Sequence, residues 1–438
     1  MATSRIINIT PDNTGLWHIK QTEEAAQKLT QLLQSDLEKH HCFFNNKGFH
    51  NHISHHLLAL YGIGGSAEQL QKGYDDNDHY QRTSVKTHPA EIEELKDFEK
   101  AKTKLGNELY YTDFLVFYQN EIDRLGWQAV LQEYLFKGDE RSEDLLSRLF
   151  ESIFHPMIQL MYGVEWEQPA IIAMGLAQAS VHPVHMRKFM LEAEKKAAEV
   201  SDPMPPLTAL FDEVASNPNL ATSTRPDDAD KIRDGVLGRA FDDAVRIASK
   251  VHVMPEQLDE KTVEMFDACI QYATAAAVRE GKEARFDFHL MHHVTVAPFF
   301  LTINSKPWVP QATKVRLLEC KMRYDILECA ARACPEASRH KITSYIPRPE
   351  SKLSQDEIIS TVRTLSDDGH ITKLLRALRI GNRISKPYHG HGNPRLITSA
   401  EWEQIYRVYM DSVTGDGPRW VRDCGRPESW EQIPNQKF

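Results

Sequence analysis

Residues 367–378 read Asp-Asp-Gly-His-Ile-Thr-Lys-Leu-Leu-Arg-Ala-Leu. In a helix, residues three or four apart share a face, so His370 and Lys373 project together toward whatever that helix covers. An imidazole is a ready metal ligand. A lysine ammonium is not, because it has no lone pair until it loses a proton, near pH ~10.4 for a free side chain. A buried lysine beside a metal escapes that limit if it sheds the proton and captures carbon dioxide, since the resulting carbamate coordinates like a carboxylate. The ordinary alternative is a histidine that helps start a helix and a lysine on its exposed face. Three other histidine-bearing stretches shift the balance.

Residues 48–61, G-F-H-N-H-I-S-H-H-L-L-A-L-Y, place His52, His55 and His56 at helical spacing. His52 can point inward with either of the other two, and the neighbouring leucines imply burial of at least one face. Imidazoles near a core are costly without a hydrogen-bond or metal partner. His155 sits in the apolar run I-F-H-P-M-I, where Pro156 forces a kink or a restart of the helix. His292 and His293 follow Leu290 and Met291, and at most one of an adjacent pair faces a given site. Each of these also reads as a satisfied core histidine. Together with the lysine they make a nitrogen-rich set suited to iron. The spacing matches neither the H-E-x-x-H zincins nor a C2H2 finger.

Outward from these stretches, helical periodicity dominates. It predicts helices over residues 22–40, 89–104, two within 107–137, and further ones over 142–159, 170–200, 240–280, 314–333 and 354–365, the last entered by a capping box at S-Q-D-E. Residues 6–9 read as an edge strand or an extended arm. With neither a repeat nor an alternating strand-helix pattern, the expected class is mainly α: a large single helical body over residues 1–438 with a central buried metal site. The proline-rich segment 201–234 is expected to be a linker or a lid within it. The Gly-, Pro- and Trp-rich tail from residue 388 carries no predicted element.

Gly62-Ile63-Gly64-Gly65-Ser66-Ala67 matches a dinucleotide fingerprint, but what precedes it reads as helix, so a helix-ending loop is the expectation. No G-x-S-x-G motif announces a serine hydrolase. Tyr61, Tyr162, Trp166 and Phe299 are candidates for lining a pocket for a flat hydrophobic substrate, with plain core packing as the alternative. The net charge of -10 and the lack of a basic block argue against nucleic acid as a partner. Six scattered cysteines without a C-x-x-C pair fit a reducing compartment. No apolar run has the length of a signal peptide core or a membrane span, so a cytoplasmic protein is the default.

Five blocks then resemble one family. F-H-N-H-I-S-H-H-L-L-A-L-Y-G-I-G, E-I-D-R-L-G-W-Q-A-V-L-Q-E-Y-L-F-K-G-D, H-P-M-I-Q-L-M-Y-G-V-E-W-E-Q-P-A-I-I-A-M-G-L-A-Q-A-S-V-H, L-M-H-H-V-T and D-G-H-I-T-K are similar to the questin oxidase-like family of fungal polyketide pathways, from about Phe49 to Leu378. The resemblance implies oxidative opening of an anthraquinone-type ring by a non-haem Fe(II) oxygenase acting with dioxygen. It implies His52, His155, His292, His370 and carboxylated Lys373 as metal ligands, His370 and Lys373 being the residues tied most directly to catalysis. It also implies an alternative: a Baeyer-Villiger-type monooxygenase on the same aromatic polyketides, drawing on NADPH as external reductant, with a reductase partner. A third reading, from a different class, is a non-catalytic protein that binds polyketide intermediates.

Overall fold

Good helix formers in periodic runs become helices almost wherever the sequence places them. The computed structural model describes residues 1–388 and 397–436, and among these the chain is mainly helical, with only isolated β-bridges such as Phe43 with His50. No helix among the described residues is long and apolar enough to cross a membrane. The tertiary contacts divide the chain into two compact units. The first comprises Met1–Arg187, Leu301–Val309 and Ile359–Arg376; the second comprises Lys188–Phe300, Pro310–Ile358 and Ala377–Phe438.

In the first unit the helix Glu23–Lys39 starts where Thr22 caps Ala25, as the periodicity predicts. The segment 6–9 lies along it as an extended arm, giving its Ile7 and Ile9 N–H groups to Gln34 and Thr30 side chains at 2.9 Å each. The helix Ile53–Gly62 is buried at every position, and it ends in the loop expected at Gly62–Ala67, where Ser66 and Gln69 form the capping box of the next helix. Helices Glu151–Glu165 and Pro169–Ser180 pack backbone to backbone. A Cβ at Gly163 would sit 2.7 Å from Ile172 N, and one at Gly175 2.8 Å from Leu160 N, so only glycine permits this approach.

The restart expected at Pro156 is abrupt. Ser152, Ile153 and Phe154 all take left-handed φ, at 49°, 57° and 62°, and the regular helix begins only after them. The stretch 89–104 differs from the single helix expected: it forms Pro89–Glu94 and Phe98–Lys102, because Asp97 accepts Glu99 N–H and caps a new start.

In the second unit the segment 201–234, expected as a linker or lid, carries the helix Leu207–Ser216, whose Leu207, Leu210, Phe211 and Val214 are buried, followed by Pro218–Ala221. Leu258–Ala276 and Gln311–Ala331 are its longest helices. The capping box at 354–357 forms as read: Ser354 Oγ accepts Glu357 N–H at 3.3 Å and Glu357 Oε2 accepts Ser354 N–H at 2.7 Å. The tail, of which residues 389–396 lie outside those described, holds a helix that the sequence reading did not predict, Ser399–Thr414, opened by a second capping box between Thr398 and Glu401.

Candidate metal centre

A short antiparallel turn delivers the first histidines. Phe44 N–H donates to the Phe49 carbonyl and Asn51 N–H to the Cys42 carbonyl, both at 2.8 Å, which brings the chain back toward Ile53. Asn51 then fixes the exit: its Nδ2 donates to Asp36 at 2.7 Å and its Oδ1 accepts Ile53 N–H at 2.9 Å, starting the helix. His52 is therefore the residue before the first helical turn, and His55 and His56 lie inside it. Of the three, His52 is the one that the fold groups with other histidines. His52, His155 and His370 each bring a ring nitrogen within 4.8 Å of the other two, and all three are buried.

Hydrogen bonds define the tautomers. His155 Nδ1 is 2.6 Å from the Ser152 carbonyl, the group that the left-handed turn presents to it. His52 Nδ1 is 3.2 Å from both the carbonyl and the Oδ2 of Asp368, and His370 Nδ1 is 2.5 Å from Asp368 Oδ1. Carbonyl and carboxylate oxygens only accept, so each Nδ1 donates and each Nε2 carries the lone pair. Yet Nε2 of His52 and Nε2 of His155 lie 3.0 Å apart. Two lone pairs at hydrogen-bonding distance repel unless a proton or a cation lies between them. A proton is disfavoured: burial, reinforced by the charge of Lys373, lowers His52 to about 4, and burial lowers His155 well below its usual value. The donor set thus fits a metal of imidazole preference, iron among them.

Lys373 meets the condition set by its sequence position. It is 2% exposed, and burial lowers its ammonium to about 8 against the opposing pull of Asp368 and Asp367. Its Nζ lies 3.1 Å from His55 Nδ1. A neutral amine fraction therefore exists near neutral pH, which capture of carbon dioxide requires.

His292 belongs to the second unit, on the helix Phe288–Thr295, with Nδ1 2.6 Å from the Phe288 carbonyl and hence the same tautomer as the other three. Its neighbour His293 faces carboxylates instead, Asp325 at 2.6 Å and Glu328 at 3.6 Å. Among the pocket candidates, Tyr162 lies beside His55, the neighbour of Lys373: its ring centroid is 6.2 Å from that of His55, and the guanidinium of Arg376 lies 5.5 Å from it. Tyr61 and Trp166 pack edge to face at 5.5 Å, and Phe299 packs on Phe300 in the second unit. Sequence reading did not single out Asp368, although an acid two residues before a ligand histidine is a signal for an orienting partner. It also passed over His50 and His182, which continue the stack: His50 lies 3.9 Å from His155, centroid to centroid, and its Nε2 is 2.8 Å from His182 Nε2.

Comparison with known proteins follows the same blocks. The sequence model of the family described as Questin oxidase-like matches residues 49–378, a span drawn from both units. The chain is 32% identical to the Baeyer-Villiger oxidase ptaJ of Pestalotiopsis fici, with 99% of each chain covered. It is 32% identical to the questin oxidase of Aspergillus fumigatus, covering 99% of this chain and 100% of that one. It is 34% identical to the oxidoreductase AflY of Aspergillus parasiticus, covering 97% of this chain and 92% of the relative.

Proposed function

Because this chain belongs to the questin oxidase-like family and is by that kinship an oxidoreductase, we propose that it is a non-haem Fe(II) oxygenase that cleaves a carbon-carbon bond of an anthraquinone-type ring in fungal polyketide biosynthesis. The observation that carries this reading is the convergence of three lone-pair imidazoles, His52, His155 and His370, close to a buried lysine of lowered basicity. Lys373 is assigned as the carbamate ligand beside these three histidines. Iron, when bound, would supply the one-electron activation of dioxygen that amino-acid side chains cannot provide.

The protein's own groups prepare that chemistry. The neutral Lys373 amine forms an N–C bond to carbon dioxide and releases a proton, which turns a cation into an anionic oxygen ligand. His55 Nδ1, as an acceptor at 3.1 Å, aims that amine. The Ser152 carbonyl holds the proton of His155 on Nδ1 and so keeps Nε2 as the donor to metal. Tyr162 brings an aromatic ring, and Arg376 beside it, ion-paired with Glu165 through Nη2, keeps Nε and Nη1 hydrogens that suit a phenolate or quinone oxygen.

Relatives named Baeyer-Villiger oxidases favour a second reading: oxygen insertion beside a ring carbonyl, with NADPH as reductant delivered directly or through a reductase partner. Metal analysis of anaerobically purified protein separates the two. About one iron per chain, lost in His370→Ala, supports the iron oxygenase, and no metal in either protein favours the second reading. Lys373→Ala should lose iron or turnover, and wild-type activity in that variant would remove the carbamate role.

A further inference from the structure

Asp368 lies in the turn that opens the helix His370–Ser385, and its carboxylate reaches imidazoles on two separate elements. Oδ1 is 2.5 Å from His370 Nδ1 and Oδ2 is 3.2 Å from His52 Nδ1. The backbone around it is pinned. Asp367 Oδ2 accepts Ile371 N–H at 2.7 Å, and the Asp367 carbonyl accepts Asn77 Nδ2 at 3.1 Å. Gly369, at φ +99°, passes so close to His56 that a Cβ there would sit 2.6 Å from His56 Cβ.

We infer that Asp368 is a positioning residue of the metal centre, a single carboxylate that sets the ring orientation and tautomer of both His52 and His370 and contributes anionic charge beside the ion. This role rests on the iron reading above. Neutral imidazoles bring no charge to a divalent ion; Asp368 supplies one negative charge next to the ligands, and a carbamate on Lys373 supplies a second. Loss of such an outer partner typically weakens metal binding by about 10–100-fold.

Asparagine distinguishes an orienting role from a space-filling one. Asp368→Asn keeps the shape but offers one acceptor oxygen in place of two, and its NH2 group confronts whichever imidazole the oxygen does not serve. If that ring is His370 it must rotate or move its proton to Nε2, the nitrogen needed for metal; if it is His52 it is left to the Asp368 backbone carbonyl, 3.2 Å from its Nδ1, with the NH2 pressed against it. Asp368→Ala instead admits water, which can accept from either ring. The asparagine variant should therefore bind iron no better than the alanine variant, the reverse of the order that a spacer would give.

The test is an anaerobic titration of the metal-free full chain with ferrous iron against a chromogenic Fe(II) chelator, for wild type, Asp368→Asn and Asp368→Ala, with circular dichroism and a thermal melt of each. Both variants are expected to fold and to bind iron about 10–100-fold more weakly, with Asn no tighter than Ala. Asn binding equal to wild type, or clearly tighter than Ala, overturns the role of Asp368 and leaves the iron reading intact. A wild-type chain that takes up no iron overturns the iron reading, and the positioning role with it. Should the variants misfold, the cobalt(II)-loaded wild type decides: hyperfine-shifted Nδ1–H signals assigned to His52 and His370 that resist exchange into deuterated water support the role, and their rapid loss while the carbonyl-bonded His155 signal persists overturns it.

Discussion

His155 and His293 are both buried in apolar runs of sequence, yet their nitrogens face different partners. His293 has Asp325 on Nδ1 at 2.6 Å and Glu328 near Nε2 at 3.6 Å, within a network that also holds Lys321 on Asp325 and Arg332 on Glu328. Burial there would raise Glu328, but Arg332 and then His293 outweigh it and hold the carboxylate down to about 2. His155 has a neutral carbonyl on Nδ1 and another imidazole nitrogen 3.0 Å from Nε2. The first arrangement closes on itself: every charge has a counter-charge within the fold. The second sets imidazole nitrogen against imidazole nitrogen, an arrangement that suits a cation between them. Local hydrophobicity cannot tell these two histidines apart, but the chemistry of what each nitrogen meets can.

Substitution is the strongest way to break the comparison. His155→Ala and His370→Ala should each abolish stoichiometric iron, read by plasma mass spectrometry, while leaving the helical circular dichroism signal in place. His293→Ala should do the opposite. It strips a buried hydrogen-bond partner from Asp325, so it is expected to cost about 1–3 kcal/mol in chemical denaturation while the folded fraction still binds iron. Iron loss and stability loss that always travel together across these variants would erase the distinction.

Acid should separate the two regions by pH window. His52, His56 and His182 are lowered by burial to about 4, 3 and 4, from an ordinary value of 6.5. The unfolded chain therefore binds more protons than the fold from about pH 6.5 down to these values. Stability is lost across that window as pH falls, by about 1.4 kcal/mol per unit of lowering for each group. Glu328, depressed from 4.5 to about 2, stabilises the fold above 4.5, and its contribution disappears only as pH falls from 4.5 toward 2. Denaturation midpoints followed from pH 7 downward should show the histidine loss first, and added Fe(II) should resist it because only neutral imidazole binds metal.

Ser354→Ala gives the smallest effect and calibrates the rest. It removes one half of a capping box that touches neither histidine set and should cost about 1 kcal/mol without changing iron per folded chain.

Much of this was legible from residue order. Apolar periodicity placed most helices because side chains that repeat every three or four residues have no other way to share a core. His155 stood out because an imidazole in an apolar run needs a partner, and His370 and Lys373 because their spacing puts them on one helical face. The choice among His52, His55 and His56 was not legible, since at helical spacing His52 shares a face with either of the others, and only the Asn51 cap on Ile53 N–H makes His52 the residue before the helix. Asp368 went unnoticed because its two imidazole partners include one 316 residues away, a contact that no local pattern encodes. The helix Ser399–Thr414 was missed because a tail rich in Gly and Pro suggested loop, although Thr398 and Glu401 spelled its start.

The left-handed turn at Ser152–Phe154 carries a consequence for how this protein can change. Left-handed backbone costs an L-residue about 1–2 kcal/mol, and a β-branched residue such as Ile153 is an outlier there. Glycine would relieve that cost, so a search that rewards heat resistance alone would favour Ile153→Gly. The same substitution loosens the loop that holds the Ser152 carbonyl against His155. Robustness and reactivity thus draw on the same three residues in opposite directions, and lineages under selection for one would drift away from the other at this turn.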